Sequence, residues 1–328
     1  MMRILIIGGT AFVGRHIAQA AIDAGHDVTL FHRGKTGAEL FPQATHLTGD
    51  RDTDLSALAS GSFDATIDMC AYFPRQVRSL AAALGDRGGR YVGISSISAY
   101  SSSVARNFDE SAPLATTDDP EASEVTFQNY GGLKALCEQA SVELFGAGTT
   151  IIRPTYVVGP YDRSNRFTWW VGRIARGGEV LAPGDPADPM QVIDARDQAS
   201  FTISLLERSV TGTFHTATQP FGWGQMLDAI AAEVAPSGTR LTWVDSDFLT
   251  AADVDGAALP LWAEGNPEDL TMSTADPAAA YAAGLAPRPL RQTVADIRAE
   301  PGFPGGRAGV GISPEREAAL LARWSVRG

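Results

Sequence analysis

Cysteine and lysine are scarce in this 328-residue sequence, which contains two cysteines and two lysines, Lys35 and Lys134. Two cysteines are too few for a disulfide framework, and Cys70 and Cys137 both lie in apolar stretches. This usage favours buried thiols in a reducing compartment over a disulfide or a metal site. A genome-wide preference for arginine would also make lysine rare, so the two lysines carry no prediction by themselves.

Basic charge and long apolar runs are lacking as well. The chain has 26 Lys+Arg against 38 Asp+Glu, which gives a formal net charge of -12. Such a surface repels phosphate backbones and disfavours a nucleic-acid partner. No stretch approaches the roughly 20 apolar residues of a membrane span, and residues 1–9 resemble a strand entering a turn more than a secretory signal. We therefore expect a cytoplasmic protein that acts on a small molecule, with no nucleic-acid or membrane partner.

The first half of the chain alternates strand and helix patterns. Runs rich in apolar residues predict strands at residues 3–7, 27–32, 63–69, 90–95 and 149–153, and a further strand is predicted at 45–48. Helical spacing predicts helices at residues 13–24, 74–84 and 129–145. Strands that alternate with helices of this length form parallel βαβ units with right-handed crossovers. The sequence therefore predicts an α/β fold with a Rossmann-type doubly wound parallel sheet.

The second half is less regular and predicts a smaller, mixed C-terminal lobe. Helices are predicted at residues 167–176, 195–207, 225–234 and 314–324, and strands at 191–193, 213–215 and 240–244. The predicted domains are a dinucleotide-binding domain at 1–160, to which the chain returns once at about 189–215, a substrate lobe at 161–188 and 216–300, and a flexible connection with a terminal helix at 301–328. The Gly/Pro-rich segment 301–311 is expected to be mobile.

The turn after the first predicted strand indicates a dinucleotide site. Residues 8–14, Gly-Gly-Thr-Ala-Phe-Val-Gly, have GxxAxxG spacing. Gly8 permits a tight turn, Ala11 lets the backbone approach a pyrophosphate, and Gly14 allows close packing of helix on sheet. Phosphates then bind at the helix N-terminus. A glycine-rich turn can also serve packing alone, but its place at the first βα turn favours the cofactor.

The end of the second predicted strand bears on which cofactor is used. Where an NAD-selective site usually places an acidic residue, this chain has Arg33 and Lys35, which suit a 2′-phosphate. We expect NADP, with NAD as the alternative, in which case Arg33 stacks on the adenine. Asp50 and Arg51 follow the third strand and are placed to reach the adenine edge or to form a surface ion pair.

Tyr130 and Lys134 are candidates for catalysis. They stand one helical turn apart on the same helix face. A tyrosine has an ordinary pKa near 10, and a cation held a few ångströms away favours its phenolate. The serines of segment 95–98 lie at the carboxyl end of the fifth strand, where ligands bind in such folds. Each feature is common for structural reasons, but their order along one chain favours a catalytic site.

These motifs resemble those of extended short-chain dehydrogenases/reductases of the NAD-dependent epimerase/dehydratase family, over about residues 3–197. Segments 8–14, 95–100, 108–114, 130–134 and 153–160 carry the resemblance. It implies that Tyr130 is the general acid/base, that Lys134 tunes it, and that Ser96 polarises the substrate oxygen. The predicted cofactor-binding residues are Gly8, Thr10, Ala11, Phe12, Val13, Gly14, Arg33, Lys35, Asp50, Arg51, Ala71, Tyr130, Lys134 and Pro154.

The resemblance does not define a substrate. Sugar-nucleotide members usually carry arginine where this chain has Met190, and commonly histidine where it has Asp194, which disfavours a UDP- or TDP-sugar. Dehydratases usually have Asp-Glu where this chain has Ile97 and Ser98. Of the adjacent Trp169 and Trp170, one is expected to be exposed, because neighbouring side chains on a helix face different directions.

The leading hypothesis is an NAD(P)-dependent oxidoreductase that acts on a carbonyl or hydroxyl carbon of a small molecule, with sugar-like compounds among the candidate substrates. One alternative is a sugar or sugar-nucleotide epimerase that retains NAD. Another is a non-catalytic, dinucleotide-sensing or RNA-associated protein. By analogy with the family, a homodimer would form through the helices predicted at 74–84 and 129–145.

Overall fold

The computed structural model describes residues 1–303 and 309–327, and the chain divides into two compact units. The first unit consists of Met1–Val157, Val192–Thr218 and Ala275–Pro287. The second consists of Val158–Gln191, Gln219–Thr274 and Arg288–Gly328. The chain thus returns to the first unit twice, whereas the sequence predicted one return.

The structure contains every strand and helix predicted for the first half, with ends within two residues of those expected. The strands are β1 Arg3–Ile7, β2 Asp27–His32, β3 Thr45–Thr48, β4 Ala65–Asp68, β5 Arg90–Ile94, β6 Thr149–Pro154, β7 Tyr156–Val158, β8 Glu179–Pro183, β9 Pro189–Met190, β10 Val192–Asp194, β11 Gly212–Thr216, β12 Phe221–Gly222 and β13 Arg240–Val244. The helices are α1 Phe12–Asp23, α2 Pro74–Leu84, α3 Tyr130–Phe145, α4 Arg166–Ala175, α5 Ala195–Glu207, α6 Trp223–Val234, α7 Ser246–Thr250, α8 Pro267–Met272, α9 Ala278–Ala282, α10 Leu290–Arg298 and α11 Pro314–Ser325.

The first unit, within the described residues, is built on a seven-stranded sheet in the order β11-β6-β5-β4-β1-β2-β3. Every neighbouring pair is parallel. This confirms the predicted Rossmann-type α/β fold. The strand order reverses between β1 and β4, and the loops that leave the carboxyl ends of these strands diverge there. Ligands of doubly wound sheets bind at such a switch point.

Both faces of the sheet are covered, as the nearly continuous apolar runs in its strands require. Alternate residues of β1 point to opposite faces. Ile4 and Ile6 belong to a buried cluster with Ile17 of α1 and Ile203 of α5. Leu5 and Ile7 belong to a second cluster that includes residues of α2. The sheet therefore fixes α1 and α5 on one face and α2 on the other.

The second return of the chain, Ala275–Pro287, was not predicted. Ala280 and Leu285 are buried in the same cluster as the core of α1, and the carbonyl of Asp276 accepts a hydrogen bond from His215 Nδ1 at 2.8 Å. The segment is rich in alanine, so its sequence lacks the apolar periodicity that marks a core element.

The terminal helix α11 is part of the core of the second unit. Glu317 is 3% exposed and accepts hydrogen bonds from Arg173 Nε at 2.8 and 2.6 Å and from the Leu181 amide at 3.0 Å. A buried ion pair thus joins α11 to α4 and β8. Part of the segment predicted to be mobile, residues 304–308, lies outside the described residues.

The tryptophan pair on α4 differs from the expectation that one of the two is exposed. Trp170 is fully buried, and its indole donates to the Pro260 carbonyl at 2.5 Å. Trp169 is half-buried. A Cβ added at Gly311 would overlap its indole, so residues of the same unit cover that ring.

Three further findings concern the described residues only. None of their helices is both long and apolar enough to cross a membrane. Nowhere among them do three or more His, Cys, Asp or Glu side chains cluster as a metal ion would require. Cys70 and Cys137 are free thiols, the first half-buried and the second buried.

Candidate functional site

A cavity of about 820 Å³ lies in the first unit, where loops leave the carboxyl ends of β1 to β4. Gly8, Thr10 and Ala11 line it from the turn after β1, and residues 33–36 line it from the loop after β2. Residues 49–52 contribute from the loop after β3. This is the switch point of the sheet, and the volume falls within the range of small-molecule sites.

The turn after β1 has the shape that a dinucleotide requires. Gly8 and Gly9 have φ of 106° and 90°, which L side chains rarely adopt. A Cβ at Gly14 would lie 2.8 Å from the Gly9 backbone nitrogen, so only glycine allows α1 to approach the turn so closely. Ala11 caps α1 without a side-chain hydrogen bond. The first-turn amides therefore face the position where a pyrophosphate would bind.

Two histidines shape the loop after β2. His32 is 8% exposed, and its Nδ1 accepts from the Gly34 amide at 3.0 Å. Its Nε2 then carries the proton and donates to His46 Nδ1 at 2.8 Å. His46 in turn donates from Nε2 to the Phe41 carbonyl at 3.1 Å. Two neutral imidazoles in series thus hold the loop that carries Arg33 and Lys35, both exposed and lining the cavity.

Arg51 forms a buried ion pair. From the sequence, Arg51 was expected either to reach the adenine edge of the cofactor or to form an ion pair at the surface. Its Nη1 and Nη2 donate to Asp68 at the end of β4 at 2.6 and 2.9 Å. Burial alone would lower the pKa of Arg51 and raise that of Asp68, but mutual attraction overrides it, so the Arg51 pKa is raised and the Asp68 pKa is lowered. Asp68 was not predicted, although a polar residue closing a buried strand is the signal that could have identified it.

Lys134 lies at the centre of the predicted catalytic group. It is 4% exposed, and its Nζ donates to the carbonyls of Ala71 and Ile94 at 2.9 and 2.8 Å. The two carbonyls lie just beyond β4 and at the end of β5. The ammonium is therefore fixed at the carboxyl edge of the sheet, one helical turn from the half-buried Tyr130.

Two glycines bring the serine segment close to Tyr130. A Cβ at Gly131 would lie 2.2 Å from the Ser98 carbonyl oxygen, and one at Gly132 would lie 2.6 Å from the Thr116 backbone. Only glycine at these positions lets the first turn of α3 pack against both segments. Ser96 accepts from the Ser98 amide at 3.1 Å, which leaves its own hydroxyl hydrogen available for a substrate.

A buried polar network lies next to the predicted catalytic residues Ser96 and Lys134. Ser95 donates to Glu138 of α3, and Arg153 of β6 binds the same carboxylate through Nε at 3.0 Å and Nη2 at 2.5 Å. Ser95 precedes Ser96, and Glu138 lies one turn after Lys134. The network therefore ties together elements that carry the predicted catalytic residues, and it assigns Ser95 to a structural role.

His215 of β11 closes the network. Arg153 donates to the Tyr100 hydroxyl, and the same oxygen lies 2.5 Å from His215 Nε2. His215 then donates from Nδ1 to the Asp276 carbonyl. Its imidazole is fully buried, and this burial lowers its pKa. Because these partners come from distant segments, local sequence patterns could not predict them.

The two buried histidines make folding stability depend on pH. Burial lowers the pKa of both His32 and His215, whereas in the unfolded chain they titrate near 6.5. At pH values between the lowered pKa of the folded state and about 6.5, the unfolded state binds more protons than the folded state. The free energy of unfolding therefore falls as the pH drops below about 6.5. We expect urea unfolding to show a smaller loss of stability between about pH 7.5 and 5.5 in His215→Asn than in the wild type. Equal losses would contradict a neutral His215.

Two positions that depart from sugar-nucleotide enzymes have other roles here. Asp194 is 4% exposed; it caps α5 by accepting from the Arg196 amide at 2.9 Å and pairs with the Arg196 guanidinium at 2.7 Å. Met190 is 4% exposed and belongs to β9, which pairs with β12.

The structure does not bring every predicted site residue to the cavity. Of the described residues, those predicted for the site that do not line it are Phe12, Val13, Gly14, Ala71, Ser96, Tyr130, Lys134 and Pro154. Phe12, Val13 and Gly14 form the first turn of α1, and Pro154 ends β6. Conversely, residues 123–125 line the cavity from the segment before α3 and were not predicted.

Comparison with known sequences identifies one family. The pattern that defines the NAD dependent epimerase/dehydratase family matches residues 4–215. The match includes the glycine turn at residues 8–14, the cavity-lining loops at 33–36 and 49–52, the serines of segment 95–98 and the helix α3.

Individual relatives are distant. A chloroplast stem-loop binding protein of 41 kDa (form b) from Arabidopsis thaliana is 27% identical over 255 residues, which cover 72% of this chain and 63% of that protein. A bifunctional pinoresinol-lariciresinol reductase from Linum corymbulosum is 22% identical over 62% of this chain and 65% of its own length. The matches thus span less than two thirds of either relative. The Bordetella bronchiseptica enzyme WbmH, solved in complex with NAD+, shares the fold with a TM-score of 0.68 and 17% identity, covering 92% of this chain and 100% of that one.

Proposed function

The chain belongs to the NAD-dependent epimerase/dehydratase family, and from this premise we propose that it is an NAD(P)-dependent oxidoreductase acting on a carbonyl or hydroxyl carbon of a small molecule, with sugar-like compounds among the candidate substrates. The observation that carries the proposal is the fixed position of Lys134, whose Nζ is held by the Ala71 and Ile94 carbonyls one turn from Tyr130. Folding alone does not require a lysine at this buried position, because an apolar residue there would cost less desolvation.

Each residue of the group has one role in the proposed reaction. Tyr130 donates a proton to the substrate oxygen during reduction and accepts it during oxidation. Lys134 supports proton exchange by Tyr130 from the same helix face, with its ammonium fixed by the Ala71 and Ile94 carbonyls. Ser96 orients the same substrate oxygen with its free hydroxyl hydrogen. The nicotinamide, when bound, supplies or accepts the hydride.

A reductase is favoured over a sugar-nucleotide epimerase because two positions that usually help such epimerases to bind their substrate carry other residues in this chain. Met190 stands where such epimerases commonly have arginine. Asp194 stands where they commonly have histidine, and it caps α5 and pairs with Arg196. A relative from Linum corymbulosum is named a reductase. An epimerase that retains NAD remains the alternative, and it differs in keeping its cofactor through the cycle.

The proposal is tested by following oxidation of NADPH and NADH with a panel of carbonyl compounds, including aldoses, ketoses and aromatic ketones. We expect at least one carbonyl class to be reduced at a rate that depends on protein concentration. Conversion of a sugar nucleotide into its epimer with no net change in the cofactor would instead favour the epimerase.

Cofactor preference is proposed from the loop after β2. Arg33 and Lys35 are exposed cations that line the cavity, and we propose that they bind a 2′-phosphate and favour NADP. Arg33→Ala should weaken NADPH binding about tenfold to a hundredfold, the range of a lost hydrogen bond to a charged group, and NADH binding far less. Titration calorimetry measures both constants, with Arg240→Ala, an exposed arginine of the second unit, as the control. Equal losses for both nucleotides would contradict the assignment.

An RNA-associated role is the second candidate, because one relative is named a stem-loop binding protein. The net charge of -12 opposes it, since RNA affinity depends on neutralising phosphates.

A homodimer through α2 and α3 stays a prediction. Val142 and Leu144 on α3 are 55% and 44% exposed, so this face offers apolar surface to a second copy.

A further inference from the structure

Tyr72 connects the cavity to the predicted catalytic residues. Ser96, Tyr130 and Lys134 do not line the cavity themselves, whereas Tyr72, from the loop after β4, does. The centroid of its ring lies 5.6 Å from Lys134 Nζ, within the range of a cation–π contact. Burial and the nearby charge of Tyr130 raise the pKa of Tyr72, so its phenol stays neutral. The part of a ligand that reaches from the cavity toward Tyr130 and Lys134 therefore meets the Tyr72 ring.

The wall formed by Tyr72 and the segment before α3 is apolar where it is open. Tyr72 is 43% exposed and Val125 is 42% exposed, and both line the cavity. Phe73 lines it as well but is 8% exposed. Ser123 and Glu124 are polar, so the open apolar surface of this wall is that of Tyr72 and Val125. A ligand with an apolar group can cover this surface and remove it from water, which favours binding.

The wall is held in place by the protein. Gln76 Oε1 accepts from the amides of Tyr72 and Phe73 at 2.9 and 3.2 Å, which fixes the loop after β4. Arg75 Nη1 donates to the Ala122 carbonyl at 2.6 Å, which ties the segment before α3 to α2. The two parts of the wall are thus joined without a ligand, and this preorganisation lowers the entropic cost of binding.

The chemistry of the wall favours a planar aromatic group over a sugar. The flat ring of a tyrosine makes its best contacts with another aromatic ring. Sugar hydroxyls placed against Tyr72 and Val125 would lose hydrogen bonds to water without gaining others, which costs free energy. The carboxamide of Gln76, which also lines the cavity, is already engaged at both ends, because its Nε2 donates to Asp52 at 2.7 Å.

We propose that Tyr72 determines substrate specificity by packing its ring against a planar aromatic group bonded to the carbonyl carbon, so that the substrates are aromatic ketones or aldehydes. This inference rests on the proposed function and narrows its substrate class. The carbonyl carbon accepts the hydride of NADPH and its oxygen accepts the Tyr130 proton, which gives the alcohol and NADP. Tyr130 then regains a proton from solvent.

The test compares acetophenone with cyclohexyl methyl ketone, which share a carbon skeleton but differ in whether the ring is flat and aromatic. In Tyr72→Ala we expect kcat/KM for acetophenone to fall about tenfold, the effect of one lost aromatic contact, and that for cyclohexyl methyl ketone to change far less. Tyr72→Leu keeps apolar bulk without a flat ring and should lose the preference as well. Tyr72→Phe keeps the ring and should restore the preference.

Phe127→Ala is the matched control, because it removes an aromatic ring that is 91% exposed and does not line the cavity. It should alter neither rate. Calorimetric titration with NADPH accompanies the kinetics, and the Tyr72 variants should bind the cofactor as the wild type does.

Equal losses for the two ketones in Tyr72→Ala, or weaker NADPH binding that accounts for the loss, would overturn the inference and assign Tyr72 to the fold or to the cofactor. A wild type that reduces aldoses or ketoses in preference to acetophenone would also overturn it and leave the proposed function intact. A wild type that reduces no carbonyl compound would instead overturn the proposed function, and the inference with it.

Discussion

Tyr130→Phe is expected to lower kcat by roughly 10²- to 10⁴-fold, the usual contribution of a positioned general acid/base. Phenylalanine keeps the ring at the start of α3 and removes only the hydroxyl that exchanges the proton. Binding of NADPH should therefore change by less than about twofold, which is below 0.5 kcal/mol. The measurement is steady-state turnover of the best carbonyl substrate together with titration of the cofactor.

The control for this substitution is Tyr281→Phe, which makes the same chemical change on α9. It should turn over substrate like the wild type. If Tyr130→Phe kept most of the turnover, the proton would have to come from another group or from water, and the assigned role of Tyr130 would be wrong.

Lys134→Met is expected to reduce kcat about a hundredfold or more and also to weaken cofactor binding. The substitution removes the ammonium that we propose supports proton exchange by Tyr130. It also leaves the Ala71 and Ile94 carbonyls without their donor, and each unpaired buried acceptor costs about 1–3 kcal/mol. Loss of turnover should therefore accompany a lower free energy of unfolding. Kinetics and urea unfolding of the same preparation measure both effects.

Gln139→Met is the matched control for Lys134→Met, because Gln139 is an exposed residue of the same helix. It should change neither kcat nor stability by a measurable amount. A Lys134→Met protein that lost stability but kept full turnover would show that the buried ammonium serves the fold alone.

The fold could be predicted because its signals are local. The central strands of the main sheet, such as β1 and β2, are largely apolar runs, and the helices of the first half have apolar residues at helical spacing. The spacing of the glycine turn also indicated the cavity at the first βα turn, where Gly8 and Ala11 now line it. The Gly131-Gly132 pair was a further local signal, because two glycines in the first turn of a helix indicate close contact with another backbone.

What sequence patterns could not supply were the partners of the polar residues. Nothing near Arg51 in the sequence indicates that its guanidinium reaches Asp68, seventeen residues later at the end of β4. Glu138, Arg153 and His215 likewise come from three separate elements and meet only in the folded sheet. The return of Ala275–Pro287 was missed for a different reason: small residues fill a narrow space there without forming a periodic apolar stripe.

The central claim is that the chain binds a nicotinamide dinucleotide and exchanges it between turnovers. It is tested most directly by denaturing the purified protein, identifying any released nucleotide by mass spectrometry, and titrating the native protein with NADPH. We expect little or no released nucleotide and saturable binding of one NADPH per chain. Near-stoichiometric NAD in the denatured sample would contradict the exchange and favour an epimerase, and a protein that neither releases nor binds a dinucleotide would contradict the account as a whole.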